Sequence, residues 1–254
     1  MPKISVLVQS HNRPEGLRRA LQSLQMQSYR DFEVVISDDS VQQRAQIMAV
    51  LEGPAAAGLQ LNVNYTDACG AAESMREALG RASGEYIKIL HDDDWLTPHS
   101  LQQQTMFLDH HADVNVVYGR AILSFPHIDK LAYAWFDKPT KLPAPEWIAQ
   151  YQKDGAGPVQ SPVTALYRRH DGFRVLWSEF INPDLREAAR KTGAGTDVSL
   201  QVDNAGSNAS VILIPMVACF MGTDMNSITQ VDPGIHSYYA MWKAEYDSFP
   251  AWRR

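Results

Sequence analysis

The chain has 254 residues, a net charge of -6 from 23 basic and 29 acidic side chains, 45% hydrophobic residues, six Trp and two Cys. That length suits one α/β domain and carries a core without disulfides or a structural metal. A charged fraction of 20% with six Trp excludes a disordered chain. The acidic balance excludes an electrostatic grip on nucleic acid. Cys69 and Cys219 lie too far apart for a CxxC zinc or redox motif.

The first half alternates strand and helix signals. Ile4 to Val8 is a short apolar run that breaks into the polar turn Gln9-Ser10-His11-Asn12-Arg13. Pro14 opens a helix with Leu17, Leu21 and Leu24 on one stripe. Phe32 to Ile36 predicts a second strand with Ser37-Asp38-Asp39-Ser40 as its exit, then a helix with Val41, Ala45 and Met48 on one face. After a Pro/Ala/Gly break from Gly53 to Gly58, the alternation of Leu59, Leu61, Val63 and Tyr65 predicts a strand with one polar face. A helix over Ala71 to Ala82 carries Met75, Leu79 and Ala82. Glu85 to Leu90 is the next strand, leading into His91-Asp92-Asp93-Asp94-Trp95. Thr97 reads as a helix cap with Pro98 at the first position. Val114 to Tyr118 closes the series.

The second half is less regular. Lys138 to Pro145 reads as a connection, and Val163 to Tyr167 and Val211 to Ile214 as strands. Thr196 caps a helix with Val198, Val202 and Ala205 on one face and Gly206 as its stop. The tail from Ser237 to Arg254 is rich in aromatic residues. Ile4 to Val8 is too short for a secretory apolar region. The longest apolar run, Val211 to Met221, is broken by Pro215 and falls short of a membrane span of about 18 residues. The expectation is a cytoplasmic protein with no transmembrane segment, with peripheral attachment at the inner face of a membrane left open.

The β-α-β-α order predicts a mostly parallel, doubly wound sheet, in which ligands bind beyond the carboxyl ends of the strands. Three strand exits carry polar clusters: Ser10 to Arg13, Asp38-Asp39 and Asp92 to Asp94. Adjacent carboxylates repel one another, and a divalent cation with hard oxygen ligands is the simplest compensation. Taken alone, Asp92-Asp93-Asp94 is more often a solvated turn with Asp93 or Asp94 as a helix cap. Its setting between Leu90 and Trp95-Leu96 shifts it toward a site. Asp38-Asp39 suits either a helix cap or a hydrogen bond to a base or ribose. Asp197 compensates a helix dipole or acts as a general base. His110-His111 suits a helix end, and His236 is a lone candidate metal ligand. GxSxG, GxGxxG and Walker motifs are absent.

Three segments together resemble family 2 glycosyltransferases, closest in style to the spore-coat polysaccharide type. They are Ile4 to Pro14, Gln27 to Ser40 and Ala82 to Leu96, in the family's order and spacing. The match is clear over about the first 120 residues. The resemblance implies a GT-A fold over 1–254: a mostly parallel doubly wound central sheet with flanking helices and a smaller mixed acceptor-side region. Residues 1–120 would form the nucleotide-sugar half, and 121–254 the acceptor half and helical tail. It implies that Gln9, Ser10, His11, Asn12, Arg13, Asp38, Asp39 and Asp92 bind the nucleotide-sugar. Asp93, Asp94 and Asp224 would hold Mn²⁺ or Mg²⁺, and Asp197 would be the catalytic base. The activity implied is metal-dependent, inverting transfer from a nucleotide-diphospho-sugar, UDP-sugars favoured, to a glycan or lipid-linked acceptor in cell-surface polysaccharide or glycoconjugate synthesis. A non-catalytic nucleotide-sugar-binding protein on the same fold is the alternative. A sugar nucleotidyltransferase ranks lower, because the Gln9 to Arg13 turn lacks a Gly-rich basic loop. His91 stands where many members begin the acidic run, Met75-Arg76 replaces a frequent Arg-Asn, and Asp224 stands where relatives often carry His.

Overall fold

The computed structural model describes residues 1–124, 129–134, 136–154, 161–171, 173, 183–184, 186–187, 196–206 and 208–222, with backbone alone at 150–154 and 196–199. Its strands are β1 (Ile4–Ser10), β2 (Phe32–Asp38), β3 (Leu61–Tyr65), β4 (Tyr86–His91), β5 (Trp95–Leu96), β6 (Val114–Ser124), β7 (Asp129–Ala132), β8 (Thr140–Pro143), β9 (Ala165–Arg168) and β10 (Ser210–Gly222). Its helices are α1 (Pro14–Gln25), α2 (Arg44–Leu51), α3 (Ala71–Arg81), α4 (Ser100–His110), α5 (Ala144–Asp154) and α6 (Thr196–Ala205).

The sheet runs β3-β2-β1-β4-β9-β6-β10-β5, with β7 on β6 and β8 on β10. From β3 to β4 every pairing is parallel. Beyond β4 the sheet is mixed: β9 lies antiparallel between β4 and β6, and β6 pairs β10 in parallel. Alternate residues of one strand enter opposite cores, as a period of two requires. Ile4, Val6 and Val8 of β1 pack with Leu17, Leu21 and Leu24 of α1, Ile47 and Val50 of α2, and Leu101 and Leu108 of α4. Leu7 faces the other layer, with Met75 and Ala78 of α3, Trp147 of α5 and Leu200, Val202 and Ala205 of α6. Burial on both faces explains why β1, β2 and β4 read as near-continuous apolar runs, interrupted ahead of their polar ends only by the buried polar residues Ser5, Glu33 and Lys88. The fold is of the GT-A type, an α/β architecture with a curled central sheet.

Several local expectations are corrected. Helix α2 starts at Arg44 and buries Ile47 and Val50, while Val41 is 60% and Met48 41% exposed. Val41 is held in the preceding loop, where its N–H donates to Asn12 Oδ1 at 3.2 Å. Thr97 does not cap α4, which begins at Ser100; its hydroxyl donates to the Val217 carbonyl at 2.6 Å. Pro98 therefore sits in the turn before the helix. The Lys138 to Pro145 connection contains β8 and the start of α5. Pro162–Thr164 forms a 3-10 turn ahead of β9. Strand β10 runs through Pro215, and a register shift between Leu213 and Val217 absorbs the missing N–H. Gly206 ends α6 with φ +76°, as a glycine stop does. The aromatic tail lies outside the described residues.

Candidate active site

Parallel pairing aligns three strand ends. Ser10 of β1 lies opposite Asp38 of β2, and Gln9 lies opposite His91 of β4. The turns that follow meet beyond the carboxyl edge, where α/β sheets form ligand crevices.

The turn after β1 is tied to both neighbours. His11 donates its backbone N–H to Asp92 Oδ2 at 3.0 Å. Its ring Nδ1 lies 2.8 Å from Asp39 Oδ1, and Asn12 Nδ2 lies 3.1 Å from Nε2. With a carboxylate on one nitrogen and an amide donor on the other, these partners assign the proton to Nδ1. Asn12 adopts φ +53°, a region Asn tolerates. Its Oδ1 accepts from the N–H groups of Val41, Gln42 and Gln43 at 3.2, 3.0 and 3.0 Å. Asn12 thus caps the approach to α2. Gln9 Nε2 donates to the Ala71 carbonyl. Ser10 is buried and its Oγ has no hydrogen-bond partner among the described residues.

The two carboxylates after β2 divide. Asp38 is fully buried, accepts from Ser40 Oγ at 2.6 Å and pairs with Arg44 Nε at 2.8 Å. Arg44 also donates to the Thr66 carbonyl and stacks 5.1 Å from the Tyr65 ring, so Asp38 anchors α2 to the sheet edge. Asp39 turns the other way, with Oδ1 beside His11 and Oδ2 accepting from Gly70 N–H at 3.0 Å.

The acidic turn is the most charged element. Arg13 Nη1 lies 3.2 Å from Asp92 Oδ1 and 3.0 Å from Asp93 Oδ2. Gly222 N–H donates to Asp94 Oδ1 at 3.0 Å. Burial pushes the Asp92 carboxyl up to about 7; Arg13 opposes the shift and Asp93 adds to it. Burial and then Asp93 raise Asp94 well above the usual carboxylate range, against the Gly222 hydrogen bond. Both shifts come first from removal of the carboxylates from water, and the like charge of Asp93 adds to each.

Two glycines hold the main chain of this turn. A Cβ on Gly16 of α1 would overlap the Asp92 carbonyl oxygen, and one on Gly222 of β10 would overlap that of Asp93. Arg19 adds a hydrogen bond from Nη2 to the Asp93 carbonyl at 3.0 Å and stacks 4.2 Å over Trp95, which itself stacks on Phe220. Gly16, Arg19, Arg44, Gly70 and Gly222 were not singled out from sequence. Gly16 had a signal: a glycine inside an amphipathic helix costs stability unless something must approach closely.

Among the described residues no group of three or more His, Cys, Asp or Glu side chains is arranged to hold a metal ion. The donors nonetheless fit a hard divalent cation that takes one or two carboxylates and fills its shell with phosphate oxygens and water. Asp93 Oδ1 and Asp94 Oδ2 carry no hydrogen bond among the described residues. Both oxygens of Asp92 are engaged, by Arg13 and by His11 N–H. Asp224 and His236 lie outside the described residues. Asp197 falls in the first turn of α6, where only the backbone is described.

A family model described as glycosyl transferase family 2 matches residues 5–171. The chain belongs to this family. It is 34% identical over 103 residues to the GalNAc(5)-diNAcBac-PP-undecaprenol beta-1,3-glucosyltransferase of Campylobacter jejuni, covering 40% of this chain and 33% of that protein. It is 31% identical over 126 residues to the poly(ribitol-phosphate) beta-N-acetylglucosaminyltransferase TarS of Staphylococcus aureus, covering 48% of this chain and 22% of TarS. The chain thus spans a third or less of the length of these relatives. The crystal structure of TarS 1-349 with UDP-GlcNAc superposes with a TM-score of 0.69 at 17% identity, over 97% of this chain and 67% of that one. The mannosyltransferase PcManGT from Pyrobaculum calidifontis, in complex with GDP-Man and Mn²⁺, gives 0.53 at 17% identity, over 89% and 59%. The family match, residues 5–171, runs from within β1 past β9 and so contains the β1, β2 and β4 regions whose exits meet at the site. Among the described residues no helix is long and apolar enough to cross a membrane.

Proposed function

We propose that this chain is a metal-dependent, inverting glycosyltransferase that moves a sugar from a nucleotide-diphosphate donor to an acceptor hydroxyl, in cell-surface polysaccharide or glycoconjugate synthesis. The observation that carries the reading is the convergence of three strand exits on one buried acidic turn in a family 2 fold. The exits of β1 and β2, Gln9 to Arg13 with Asp39, line the nucleotide, Asp38 holds α2 behind them through Arg44 rather than reaching the ligand, and Asp92 faces the ribose. UDP-sugars are the favoured donors, in keeping with the UDP-GlcNAc bound by TarS. A glycan or lipid-linked acceptor is favoured by the polymer and undecaprenol substrates named for the relatives. Such an acceptor would bring the chain to the inner face of a membrane as a peripheral protein.

Asp93 and Asp94 would hold Mg²⁺ or Mn²⁺, with Asp224 as a further ligand. When bound, the ion supplies charge neutralisation to the diphosphate leaving group. Asp197 accepts the proton of the acceptor hydroxyl as that oxygen bonds the anomeric carbon and the bond to the nucleotide diphosphate breaks. One displacement of this kind inverts the anomeric centre.

A thermal-shift series with UDP, GDP and their sugars, with and without Mn²⁺, tests the reading. A donor that binds only the folded state raises Tm, by about 2.7 kcal/mol of added stability at a hundredfold excess over Kd. The expected outcome is a Mn²⁺-dependent rise with one nucleotide class that Asp93→Ala abolishes. No rise with any nucleotide would overturn the donor assignment. A rise without sugar transfer to any acceptor would favour a binding protein.

A further inference from the structure

Arg13 is the one guanidinium described within ion-pair distance of the acidic turn's carboxylates, and its Nη1 bridges two of them, Asp92 and Asp93, at 3.2 and 3.0 Å. Arg19, the other arginine at the turn, bonds a main-chain carbonyl instead. The remaining contacts of the three carboxylates are backbone N–H groups of His11 and Gly222. Among the described residues Arg13 is therefore the one side chain that brings a formal positive charge into direct contact with these carboxylates, while Arg19 acts on Asp94 only through space. We propose that Arg13 is a resident counter-cation that competes with the divalent ion for Asp93, and so sets the metal affinity of the site.

The inference rests on the metal-dependent reading above and adds a consequence to it. A divalent ion on Asp93 would stand within a few ångström of the guanidinium, and like charges at that distance repel in a half-buried setting. Arg13 must give up Asp93, or share it at reduced strength, when metal binds. Asp92 can keep the displaced arginine, because its carboxylate already holds one contact to Nη1. The geometry also separates the two acidic roles. Asp92 is the anchor of the guanidinium, with its second oxygen fixed by His11 N–H. Asp93 is the exchangeable partner, with Oδ1 uncommitted among the described residues.

The test is Mn²⁺ binding followed by the electron paramagnetic resonance signal of the free ion, on the wild-type chain, Arg13→Gln and Arg13→Lys, each with and without UDP. The expected result is an affinity about tenfold tighter in Arg13→Gln, the loss of one partly buried competing charge, with Arg13→Lys between. Thermal unfolding without metal should fall in Arg13→Gln and recover when Mn²⁺ is added, which shows that the variant folds. Equal or weaker Mn²⁺ binding in a cooperatively unfolding Arg13→Gln overturns the proposal, and so does Arg13→Lys tighter than Arg13→Gln. Wild-type binding with no gain in the variants sinks only the role of Arg13. Binding by neither, with or without UDP, sinks the metal-dependent function as well. Binding by Arg13→Gln alone supports the competition and makes the wild-type site one that arginine has closed to metal.

Discussion

Residues 1–124 and residues 129–222 contribute to one sheet in different ways. The first stretch supplies β1 to β4 in parallel, with β1, β2 and β4 near-continuous apolar runs, β3 an alternating edge strand, and helices packed beside them. The second supplies strands that pair mostly antiparallel, two of them only four residues long and largely exposed. A parallel sheet buries both faces and writes itself into composition. An antiparallel extension at a rim needs only backbone pairing, and leaves little hydrophobic pattern to read. The two stretches still meet at the acidic turn, where Gly222 at the end of β10 touches what β4 delivers.

The sharpest way to break this comparison is Asp197→Asn. If the first half binds the donor and the second half supplies the base, the variant should lose about 10²- to 10⁴-fold in transfer rate. Donor-induced thermal shifts should be unchanged. Retained transfer would place the proton acceptor elsewhere, within the first half or in the acceptor itself.

The contact between the halves is tested by glycines. Gly222→Ala and Gly16→Ala each force a methyl group against the main chain of the acidic turn. Backbone cannot rotate aside, so a destabilisation of about 1–3 kcal/mol is expected, together with weakened nucleotide binding. Gly119→Ala is the control: its Cβ would meet Ala218 within the β6–β10 pairing, away from the turn. Calorimetry with UDP should show loss of affinity in the first two variants and not in the control. Equal effects in all three would mean that the glycines serve packing alone.

Lys88 probes the same seam from within the core. It is fully buried in β4 and donates to Gln104 Oε1 at 2.9 Å, while Gln104 donates to the carbonyls of Val117 and Thr164. Burial lowers its pKa from 10.5 to about 7, with Cys219 opposing. Between those two values the unfolded chain binds a proton that the folded chain has released, so stability rises with pH across that window. It is lost as pH falls toward 7, and below 7 this slope vanishes. One such group gives a slope of about 1.4 kcal/mol per pH unit at most. Urea unfolding at pH 7.5 and 9 should show the gain in the wild type and a smaller one in Lys88→Met. An unchanged slope in the variant would assign the pH dependence to other groups.

What the sequence revealed follows from how local each cause is. The strands β1, β2 and β4 and the α1 stripe of Leu17, Leu21 and Leu24 depend on neighbours a few residues away, and they were legible. The α2 face was misread because Val41 answers to Asn12, 29 residues back. The Thr97 cap was misread because its hydroxyl answers to Val217, 120 residues on. The acidic turn announced itself by repulsion alone. Its glycine clamp and the Arg13 bridge did not, since nothing in a linear pattern brings Gly16 or Gly222 against it.

Asn12 carries the smallest expected effect and separates two meanings of the first turn. Its Oδ1 gathers three N–H groups ahead of α2, and its backbone sits at φ +53°. Asn12→Gly keeps the backbone and removes the acceptor, which should cost about 0.5–1 kcal/mol, the scale of a modest cap. Asn12→Ala removes the acceptor and also strains the backbone, so it should cost about 1 kcal/mol more. Asn12→Asp restores an acceptor and should recover most of the loss in chemical denaturation. Because Oδ1 is committed to the loop, these variants should alter nucleotide affinity only as far as the loop itself loosens. A donor affinity that collapses in Asn12→Asp while stability holds would instead give the side-chain amide a direct role at the nucleotide.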